Sequence, residues 1–570
     1  MGSVLLMVLS FLGYIIVYHT YGRFLSRKVF KINRETLTPS HEFNDGIDYV
    51  PTKKGVIFGH HFASIAGTGP IVGPAIGIIW GWIPAFLWVF LGSIVMGAVH
   101  DFGSLIISLR NKGKSIADIT SKYLNRRARI IFFLIVFFEL LIVIAIFGLV
   151  IAIIFSLFPQ SVFPVWFEIP IAVFLGYMVY KKQANIVLYT LFAIILMYTT
   201  VVLGHYIPLE MPSIFGMPPT GVWTIILLIY AYIASTIPVT ALLQPRDYIN
   251  AWELFIGMGI LIIGVLATGL FRGMPMVAPA FNLHPAGAPS MWPFLFITIA
   301  CGAISGFHSL VSSGTSAKQV SNEKDALFVG YGSMLLESAL AVLVIIACGA
   351  GIGLAYASKD GQILQGVAAW NAHYASWSGA AGLGAKINAM VVGSANMMAT
   401  IGIPKFIGIV IMGVFIASFA GTTLDTATRI QRYIIAELAT DIKLDVLANR
   451  WIATGIAVVS ALILAFATGA HGKGALTLWP LFGAINQILA ALALLVITVY
   501  LKRKGPWFWL TLIPFIFMII MTIWGLFLNI KDFVASSNWL LVVIGGICLV
   551  LSAWLVIEGI LVSQACSSHQ

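Results

Sequence analysis

Residues able to do chemistry are concentrated in one stretch, from Lys53 to Trp82, that is otherwise apolar enough to cross a bilayer. Its middle carries the adjacent histidines His60 and His61 and the hydroxyls of Ser64 and Thr68. A histidine inside a membrane protein can bind a carboxylate when charged or relay a proton, and a structural hydrogen bond to a backbone carbonyl is an equal alternative. Because adjacent residues point about 100° apart on a helix, we expect only one of the two histidines to face a polar site.

The same stretch contains Gly67-Thr68-Gly69-Pro70, a motif that favours departure from helical backbone and whose proline suits the first turn of a new helix. In hydrocarbon, an interrupted backbone is tolerated only where it is buried in protein or lines a cavity. We therefore predict a broken transmembrane helix. Its freed N–H groups would bind an anion such as a carboxylate, and the carbonyls from Ser64 to Gly67 a cation or polar atom. A glycine-rich helix that only permits close packing is the alternative.

A second polar run, SGFHSLVSSGTSAKQ, closes a predicted span at 292–315. In it, Ser312, Ser313 and Thr315 supply hydroxyls, and His308 supplies an imidazole. Hydroxyls near freed carbonyls form an oxygen cage that suits Na⁺ or hydrogen-bonds a substrate, so these residues are candidates for ion or proton coupling. Packing of Ser and Thr between membrane helices is the alternative.

Three carboxylic acids lie inside apolar runs, where a charge near the membrane centre costs about 3 kcal/mol or more. Glu139 interrupts IIFFLIVFFELLIVIAIF, Glu337 interrupts YGSMLLESALAVLVII, and Asp101 follows His100 near the end of the span 82–108. Such groups are candidates for proton carriers, held neutral until a neighbour or water changes their protonation. Pairing with His or Arg in a structural role is the alternative.

The elements that position these groups are membrane helices. The chain of 570 residues is 60% hydrophobic and 9% charged, which excludes a soluble domain and is typical of a polytopic membrane protein. The first apolar segment lacks a basic start, so we expect it to be a retained span and not a cleaved signal peptide. Apolar windows predict roughly fifteen spans, near 4–19, 56–79, 82–108, 131–157, 164–180, 186–205, 221–243, 252–271, 292–315, 327–354, 405–424, 450–469, 476–500, 507–529 and 538–562.

Basic residues occupy alternate joins between these spans, whereas the joins 158–163, 206–220 and 272–291 contain almost none. By the positive-inside rule the basic side is cytoplasmic, which predicts an external N-terminus and a cytoplasmic C-terminus. The polar, glycine-rich stretch 355–404 keeps this alternation only if both its ends are external, so we predict an outer cap that lies on the membrane or re-enters it. A further span at 387–400 is the alternative.

Ten spans counted from the broken helix divide into five and five, which predicts an inverted-topology repeat of the kind found in secondary transporters. In this division the second five begin at 221–243, where Thr236 could cap a new half-helix with Pro238 in its first turn. Interrupted helices at equivalent positions would mark a transport site, so both residues are candidates for substrate binding. The expected domains are a first helix and cytoplasmic loop at 1–55, a repeat core with the cap at 56–430, and C-terminal helices at 431–570.

Other motifs give no support to enzymatic chemistry. Gly113-Lys114-Ser115 resembles the end of a P-loop, but Ser108 occupies the place of the leading glycine and no strand precedes it. The sequence contains neither HExxH nor GxSxG. The four cysteines form no CxxC pair, so neither a disulfide framework nor a zinc cluster is indicated. We expect no enzyme activity, no cofactor, no metal centre and no nucleic-acid partner.

Four long motifs, GHHFASIAGTGPIVGPAIG, VHDFGSLIISLRNKGKSI, TIPVTALLQPRDYIN and FHSLVSSGTSAKQ, resemble the carbon starvation protein A family over most of residues 1–500. The resemblance implies a bacterial inner-membrane transporter that takes up peptides or pyruvate during carbon limitation. It also implies a LeuT-like inverted repeat, as in the amino acid–polyamine–organocation superfamily. Matching segments His60 to Pro74, Ser235 to Pro238 and Ser305 to Thr315 would then line the site.

These observations together predict secondary active uptake of a small carboxylate-bearing nutrient, pyruvate or a short peptide, coupled to H⁺. The expected partners are that solute, the coupling ion and the lipid bilayer. A Na⁺-coupled amino acid transporter and a channel are the alternatives. Pyruvate and peptide remain equal candidates at this point.

Overall fold

The computed structural model describes residues 2–358 and 360–567 and is built almost entirely of helices. Within that part of the chain, twelve helices are long and apolar enough to cross a membrane, and the bent pair Lys54–Ile65 and Gly69–Trp80 passes the same test together. Adding the shorter Arg450–Phe466 and the interrupted pair Met291–Thr298 and Gly306–Gly314 fills every predicted span. The prediction of an all-α polytopic membrane protein is confirmed.

The first half of the chain contains twelve helices among the described residues. They are α1 Gly2–Val17, α2 Pro39–Glu42, α3 Lys54–Ile65, α4 Gly69–Gly77, α5 Trp82–Gly92, α6 Ala98–Leu109, α7 Ile116–Tyr123, α8 Arg126–Leu157, α9 Val162–Gly176, α10 Ile186–Tyr206, α11 Pro219–Thr236 and α12 Leu243–Phe271. Short 3₁₀ and π turns extend several of them, so that the first span continues to Val29 and α5 with α6 forms one span.

The second half contains the remaining helices and a small hairpin. They are α13 Met291–Thr298, α14 Gly306–Gly314, α15 Ser333–Gly349, β1 Tyr356–Ala357, β2 Ile363–Leu364, α16 Gly366–Tyr374, α17 Trp377–Ala380, α18 Leu383–Thr400, α19 Lys405–Asp441, α20 Arg450–Phe466, α21 Trp479–Lys502, α22 Trp509–Ala535 and α23 Trp539–Ser567. The two strands pair antiparallel.

The helix break predicted around Gly67 is present. The helix α3 ends at Ile65, α4 begins at Gly69, and the two halves are bent by 43°. Pro70 lies in the first turn of α4, where its missing N–H has no consequence because the first turn of a helix leaves its N–H groups unpaired. The prediction of a broken transmembrane helix is confirmed.

Ten spans pack as two matched sets of five. The helix α3 packs on α12 as both α13 and α14 pack on α21, and α4 packs on α15 as α14 packs on α6. The third spans, α8 and α19, pack extensively on each other, and each also packs on the fourth span of its own set, α11 or α20. These matched contacts support a first set of α3–α4, α5–α6, α8, α11 and α12, and a second set of α13–α14, α15, α19, α20 and α21.

Two insertions disturb the count of spans. The hairpin of α9 and α10 lies between the third and fourth spans of the first set, and the segment β1 to α18 lies between the second and third spans of the second set. The helix α18 falls outside the helices that are apolar enough to cross, and it packs on α4, α12, α15 and α19. The predicted outer cap at 355–404 therefore stays a prediction, and the helix in it is not one of those apolar enough to cross.

The interruption predicted inside the span 221–243 is wrong. The helix α11 ends at Thr236, Ile237 is extended, and α12 starts only at Leu243, so Pro238 lies in the join between two spans. The physical reason is that a proline disfavours helical backbone at the residue before it and lacks an N–H to continue the helix.

The second break lies instead inside the predicted span 292–315, between α13 and α14. There Gly302 takes a φ of +88°, a conformation that glycine adopts without steric cost. The backbones of α4 and α13 cross in direct contact, because a Cβ added at Gly73 would lie 2.8 Å from the carbonyl oxygen of Thr298. Further along, α19 runs without interruption across the domain boundary expected at residue 430.

Candidate functional site

The two helix breaks face each other across one cavity of about 620 Å³. The first break contributes Gly67, Thr68 and Gly69 to its wall, and the second contributes Cys301 and Ser305. Much of the remaining wall is apolar and comes from α4, α8 and α13. Paired broken helices around a cavity are the arrangement in which many secondary transporters bind their substrates.

The cavity reaches the surface at the end of the molecule that carries α16–α18, called here the cap end. Trp377 and Lys386 line it there together with Asn529 and Asp532, and Asp532 is exposed. The Lys386 side chain is buried, with its Nζ 5.5 Å from the centre of the Trp479 ring. A cation held over an aromatic ring near the mouth of the cavity attracts an anionic solute.

The first break leaves backbone groups unpaired. Among the described residues, the amides of Gly67, Thr68 and Gly69 and the carbonyls of Ile65 and Gly67 have no hydrogen-bond partner. The amides lie at the positive end of α4, and the Ile65 carbonyl lies at the negative end of α3. This break therefore presents donors and acceptors side by side, for an anionic and a cationic group.

Side chains of α19 hold the first break in place. The Thr423 hydroxyl donates to the carbonyl of Ser64 at 3.3 Å, and the Ser64 and Thr426 hydroxyls are 3.1 Å apart. A Cβ added at Gly67 would lie 2.3 Å from Thr423 Oγ1, so glycine is required for this close approach. Ser64, predicted to bind substrate, thus braces the break, while Thr423 lines the cavity.

Asn486 of α21 shapes the second break. Its Oδ1 accepts hydrogen bonds from the Phe307 amide at 2.9 Å and from the Ser305 hydroxyl at 3.2 Å. These bonds satisfy one of the N–H groups that the start of α14 would otherwise leave unpaired. The second break is therefore already capped by a side chain, unlike the first.

A buried chain of ionisable side chains lies directly behind the second break. His308 Nδ1 is 3.1 Å from Asp101 Oδ2, and His308 Nε2 is 3.5 Å from Glu337 Oε2. All three side chains are fully buried, and His100 Nδ1 lies 2.8 Å from the other oxygen of Asp101. Cys301, which lines the cavity, lies close to both His308 and Glu337. The fold thus assembles three of the predicted coupling residues next to the cavity.

The two histidines of the first motif lie behind α3 and away from the cavity wall. His60 lies between Asp247, with Nδ1 2.6 Å from Oδ2, and Thr315, with Nε2 2.8 Å from Oγ1. His61 Nδ1 lies 2.8 Å from Ser316 Oγ. Both are buried and connect α3 to α12 and to the turn after α14 through side-chain atoms, whereas the structural alternative expected a backbone carbonyl.

Three further candidates for coupling are spread through the core. The Ser313 hydroxyl donates to the Ser309 carbonyl at 2.7 Å and accepts from the Ile116 amide at 2.9 Å. The Ser312 hydroxyl and both carboxylate oxygens of Glu139 are buried without a partner among the described residues. None of these three candidates contributes to the cavity wall that the described residues form.

Thr236 and Pro238 lie at the end opposite the cap. The Thr236 hydroxyl donates to the carbonyls of Tyr232 and Ile233, at 3.0 and 2.9 Å, within its own helix. The carbonyl of Ile237 between them accepts a hydrogen bond from Arg429 at 2.7 Å. The structure does not bring this pair to the cavity.

Ion pairs around Asp48, in the loop before α3, join that loop to α19 at the end opposite the cap. Asp48 Oδ1 is 2.7 Å from Arg429 Nη1, Arg432 Nη2 donates to both carboxylate oxygens at 2.8 and 2.9 Å, and the Tyr433 hydroxyl donates at 2.8 Å. Burial alone would raise the pKa of Asp48, but Arg432, Arg429 and Lys318 outweigh it and hold that pKa below its ordinary value. We call this cluster the Asp48 latch.

Sequence reasoning missed Cys301, Thr423 and Asn486. Asn486 stands beside Gln487 in an otherwise apolar run, and a polar pair inside a membrane span is a signal that could have drawn attention to it. Cys301 and Thr423 carry no comparable local signal, because their role depends on which helices pack together.

Known proteins agree with this architecture. The family described as "Carbon starvation protein CstA" matches residues 2–525. The Peptide transporter CstA of Campylobacter jejuni is 34% identical, over 92% of this chain and 80% of that protein. The Pyruvate/proton symporter BtsT of Escherichia coli is 32% identical, over 92% and 81%. A mutant of the Eremococcus coleocola manganese transporter superposes with a TM-score of 0.51 at 13% identity, over 91% of this chain and 99% of that one. The predicted LeuT-like fold class is confirmed.

Proposed function

Because this chain belongs to the carbon starvation protein CstA family, we propose that it takes up short peptides across the bacterial cytoplasmic membrane by proton symport when carbon is scarce. One observation carries the proposal. A cavity bounded by two helix breaks lies directly against the buried chain of Asp101, His308 and Glu337. In this proposal the cavity binds the solute, and the cluster of Asp101, His308 and Glu337 binds the proton that drives solute uptake.

The first break suits a zwitterion. The amides of Gly67 to Gly69 would bind the carboxylate of a peptide, and the carbonyls of Ile65 and Gly67 would bind an ammonium group. The cavity volume of about 620 Å³ lies within the range of roughly 300–1,000 Å³ that encloses drug-sized ligands. Both the volume and the paired donors and acceptors favour a short peptide.

The proton-binding step follows from the arrangement of charges. An imidazolium at His308 between two carboxylates leaves one negative charge in excess, buried behind the cavity. A proton that enters from the cavity and binds Glu337 removes that excess charge. Because an unbalanced charge is costly in a membrane interior, the protonated cluster moves more readily than the ionised one. Solute uptake is coupled to proton entry if the protein changes conformation only when the cluster is protonated and the cavity holds solute.

Alternating access uses the two ends of the molecule in turn. The cavity reaches the surface at the cap end, which we assign to the outside, while the Asp48 latch closes the opposite end. The half-helices α3 and α14 then tilt against α8 and α19, and the latch opens to release solute to the cytoplasm.

Pyruvate is a second candidate substrate. The observation that favours it is the 32% identity to a relative named as a pyruvate/proton symporter. Pyruvate would use the amides of Gly67 to Gly69 but would leave the carbonyls of the first break unoccupied.

Uptake by purified protein in proteoliposomes tests the proposal. Labelled dialanine and labelled pyruvate are offered under an imposed H⁺ gradient, an imposed Na⁺ gradient, or neither. We expect dialanine to accumulate with the H⁺ gradient and to stop accumulating when a protonophore collapses it. If pyruvate accumulates and dialanine does not, pyruvate is the substrate in place of a peptide. If accumulation requires the Na⁺ gradient and not the H⁺ gradient, proton coupling is wrong. Flux that is unsaturable and independent of both gradients would show a channel.

A further inference from the structure

The side chains of Cys301, His308 and Glu337 form a cluster with the composition of a transition-metal site. One potential ligand atom from each lies within 4.8 Å of the other two. A thiolate, an imidazole and a carboxylate are the ligand types that Zn²⁺ and related ions prefer. We propose that this cluster binds a transition-metal ion of the Zn²⁺ class, in a site that faces the transport cavity.

The ligand atoms lie close together, and the pair of His308 and Glu337 would give up any shared proton when a metal ion binds. His308 Nε2 and both oxygens of Glu337 are fully buried without a hydrogen-bond partner among the described residues. His308 Nε2 lies 3.5 Å from Glu337 Oε2. Two ligands bound at about 2.0–2.1 Å in tetrahedral geometry stand at such a separation from each other. Little movement would therefore bring both onto one ion.

Asp101 supports this site from behind. Its Oδ2 lies 3.1 Å from His308 Nδ1, and its Oδ1 lies 2.8 Å from His100 Nδ1. A carboxylate that accepts the Nδ1–H of a histidine fixes the tautomer whose Nε2 lone pair is free for a metal. Asp101 is thus a positioning residue. On binding, the ion displaces the thiol proton of Cys301 and any proton on His308 Nε2 or Glu337.

The fourth ligand position faces the cavity. Cys301 is half-buried and lines the cavity wall, whereas His308 and Glu337 lie behind it. An ion would enter from the cavity and keep a water or solute group as its fourth ligand, as in zinc sites with three protein ligands. Because the three ligands come from the second break, from α14 and from α15, the ion would tie these elements together and arrest the rocking that the proposed transport requires.

Cysteine spacing in the sequence could not reveal this site. It uses one cysteine with two ligands from other parts of the chain, so no CxxC pair occurs.

Cobalt substitution in purified, detergent-solubilised protein tests the proposal without any transport measurement. We expect Co²⁺ to produce d–d absorption bands together with a thiolate-to-cobalt charge-transfer band, both displaced by one equivalent of Zn²⁺. Cys301→Ser should lose the charge-transfer band, and the matched control Cys348→Ser, at a buried cysteine three turns beyond Glu337 on α15, should retain it. Asp101→Asn should weaken Co²⁺ binding about 10- to 100-fold, the usual effect of losing such a support.

Two outcomes overturn the site. One is the absence of a charge-transfer band in the unmodified protein, and the other is its persistence in Cys301→Ser. Uptake measured in parallel separates this inference from the proposed function. If the site is correct and transport occurs as proposed, Zn²⁺ should inhibit uptake by the unmodified protein and by Cys348→Ser, and Cys301→Ser should be at least about 10-fold less sensitive.

Discussion

The two helix breaks occupy equivalent positions in the two sets of five spans, yet they are built from different chemistry. The first, around Thr68, offers backbone amides and carbonyls, with hydroxyls from α19 behind it. The second, around Cys301, has its helix start capped by Asn486 and has ionisable side chains behind it. The repeated fold therefore carries backbone groups at one break and ionisable side chains at the other, and the proposed function assigns solute binding to the first and proton coupling to the second.

Under the proposed function, a symmetric scaffold would carry out an asymmetric process. Backbone dipoles at helix ends can bind charged groups of a solute without changing their own charge. Coupling needs groups that do change charge, and these must be buried so that each protonation state has a distinct energy. Variants that affect one function and spare the other are the direct test of this division.

The largest effect is expected at the second break. Glu337→Gln cannot take up the coupling proton, so gradient-driven accumulation should be abolished while exchange of labelled for unlabelled solute across the membrane continues. Both are measured in proteoliposomes, with the exposed loop variant Glu210→Gln as the control. Accumulation by Glu337→Gln at the control level would remove Glu337 from the coupling step.

A smaller, complementary effect is expected at the first break. Gly67→Ala places a Cβ 2.3 Å from Thr423 Oγ1 and so displaces the unpaired amides. Losing hydrogen bonds to a charged group costs about 1.5–3 kcal/mol, which weakens solute binding about 10- to 100-fold. The dissociation constant is measured by calorimetry. The pH dependence of the remaining uptake should be unchanged, because Glu337 is intact.

The matched control for this variant is Gly259→Ala in α12, where an added Cβ meets no atom within 4 Å. Equal solute affinity in the two glycine variants would show that the first break does not bind the solute.

A several-fold effect is expected at the Asp48 latch. Asp48→Asn removes the charge that holds Arg429 and Arg432, and the end opposite the cap should open more often. The measurement is the rate at which Cys301 reacts with a polar thiol reagent supplied from that end. The exposed Glu35→Gln is the control, and equal rates in the two variants would contradict a gating role.

The pH dependence of the latch follows from its pKa. Folding lowers the pKa of the Asp48 carboxyl. The stabilisation that its ionised form gives to the latch is therefore fully present above the ordinary Asp pKa of about 3.9, and it is lost only as pH falls through the lower native pKa. Only the thiolate of Cys301 reacts, so the raw rate rises with pH in every variant, and the informative quantity is the ratio of the rate in Asp48→Asn to the rate in the unmodified protein. Between about pH 5 and 8 this ratio should stay constant at that end, and a change within this range would require another titrating group.

The smallest effect is expected at Thr236, which sequence reasoning placed in the site. Its hydroxyl bonds only to carbonyls of its own helix, so Thr236→Val should change uptake by less than about two-fold. A loss comparable to that of Gly67→Ala would restore Thr236 to the binding site and would contradict the cavity described here.

Much of the fold was predictable because its signals are local. Apolar length located every span, and Gly67-Thr68-Gly69-Pro70 located the first break. The second break was misplaced because Pro238 and the sequence around Gly302 both indicate an interruption, and only tertiary packing distinguishes a helix end from a break inside a span. The hairpin of α9 and α10 shifted the count of spans and so moved the predicted start of the second set.

The site was predictable only in part for a related reason. Asp101, His308 and Glu337 were each recognisable as costly groups in apolar surroundings, but their association depends on three helices meeting. His60 and His61 were equally conspicuous, yet their ring nitrogens contact Asp247, Thr315 and Ser316 away from the cavity. A polar residue in a membrane span thus signals a partner, and the sequence alone does not say whether that partner is a solute or another helix.

The contact of Gly73 with the carbonyl of Thr298 has a mechanical consequence. Where two backbones touch without side chains between them, there is no compressible layer to absorb a displacement. The helices α4 and α13 are therefore coupled rigidly at this point, and a displacement of one is transmitted directly to the other. A methyl group added at Gly73 would push the two helices apart and weaken the coupling between the two sets of spans.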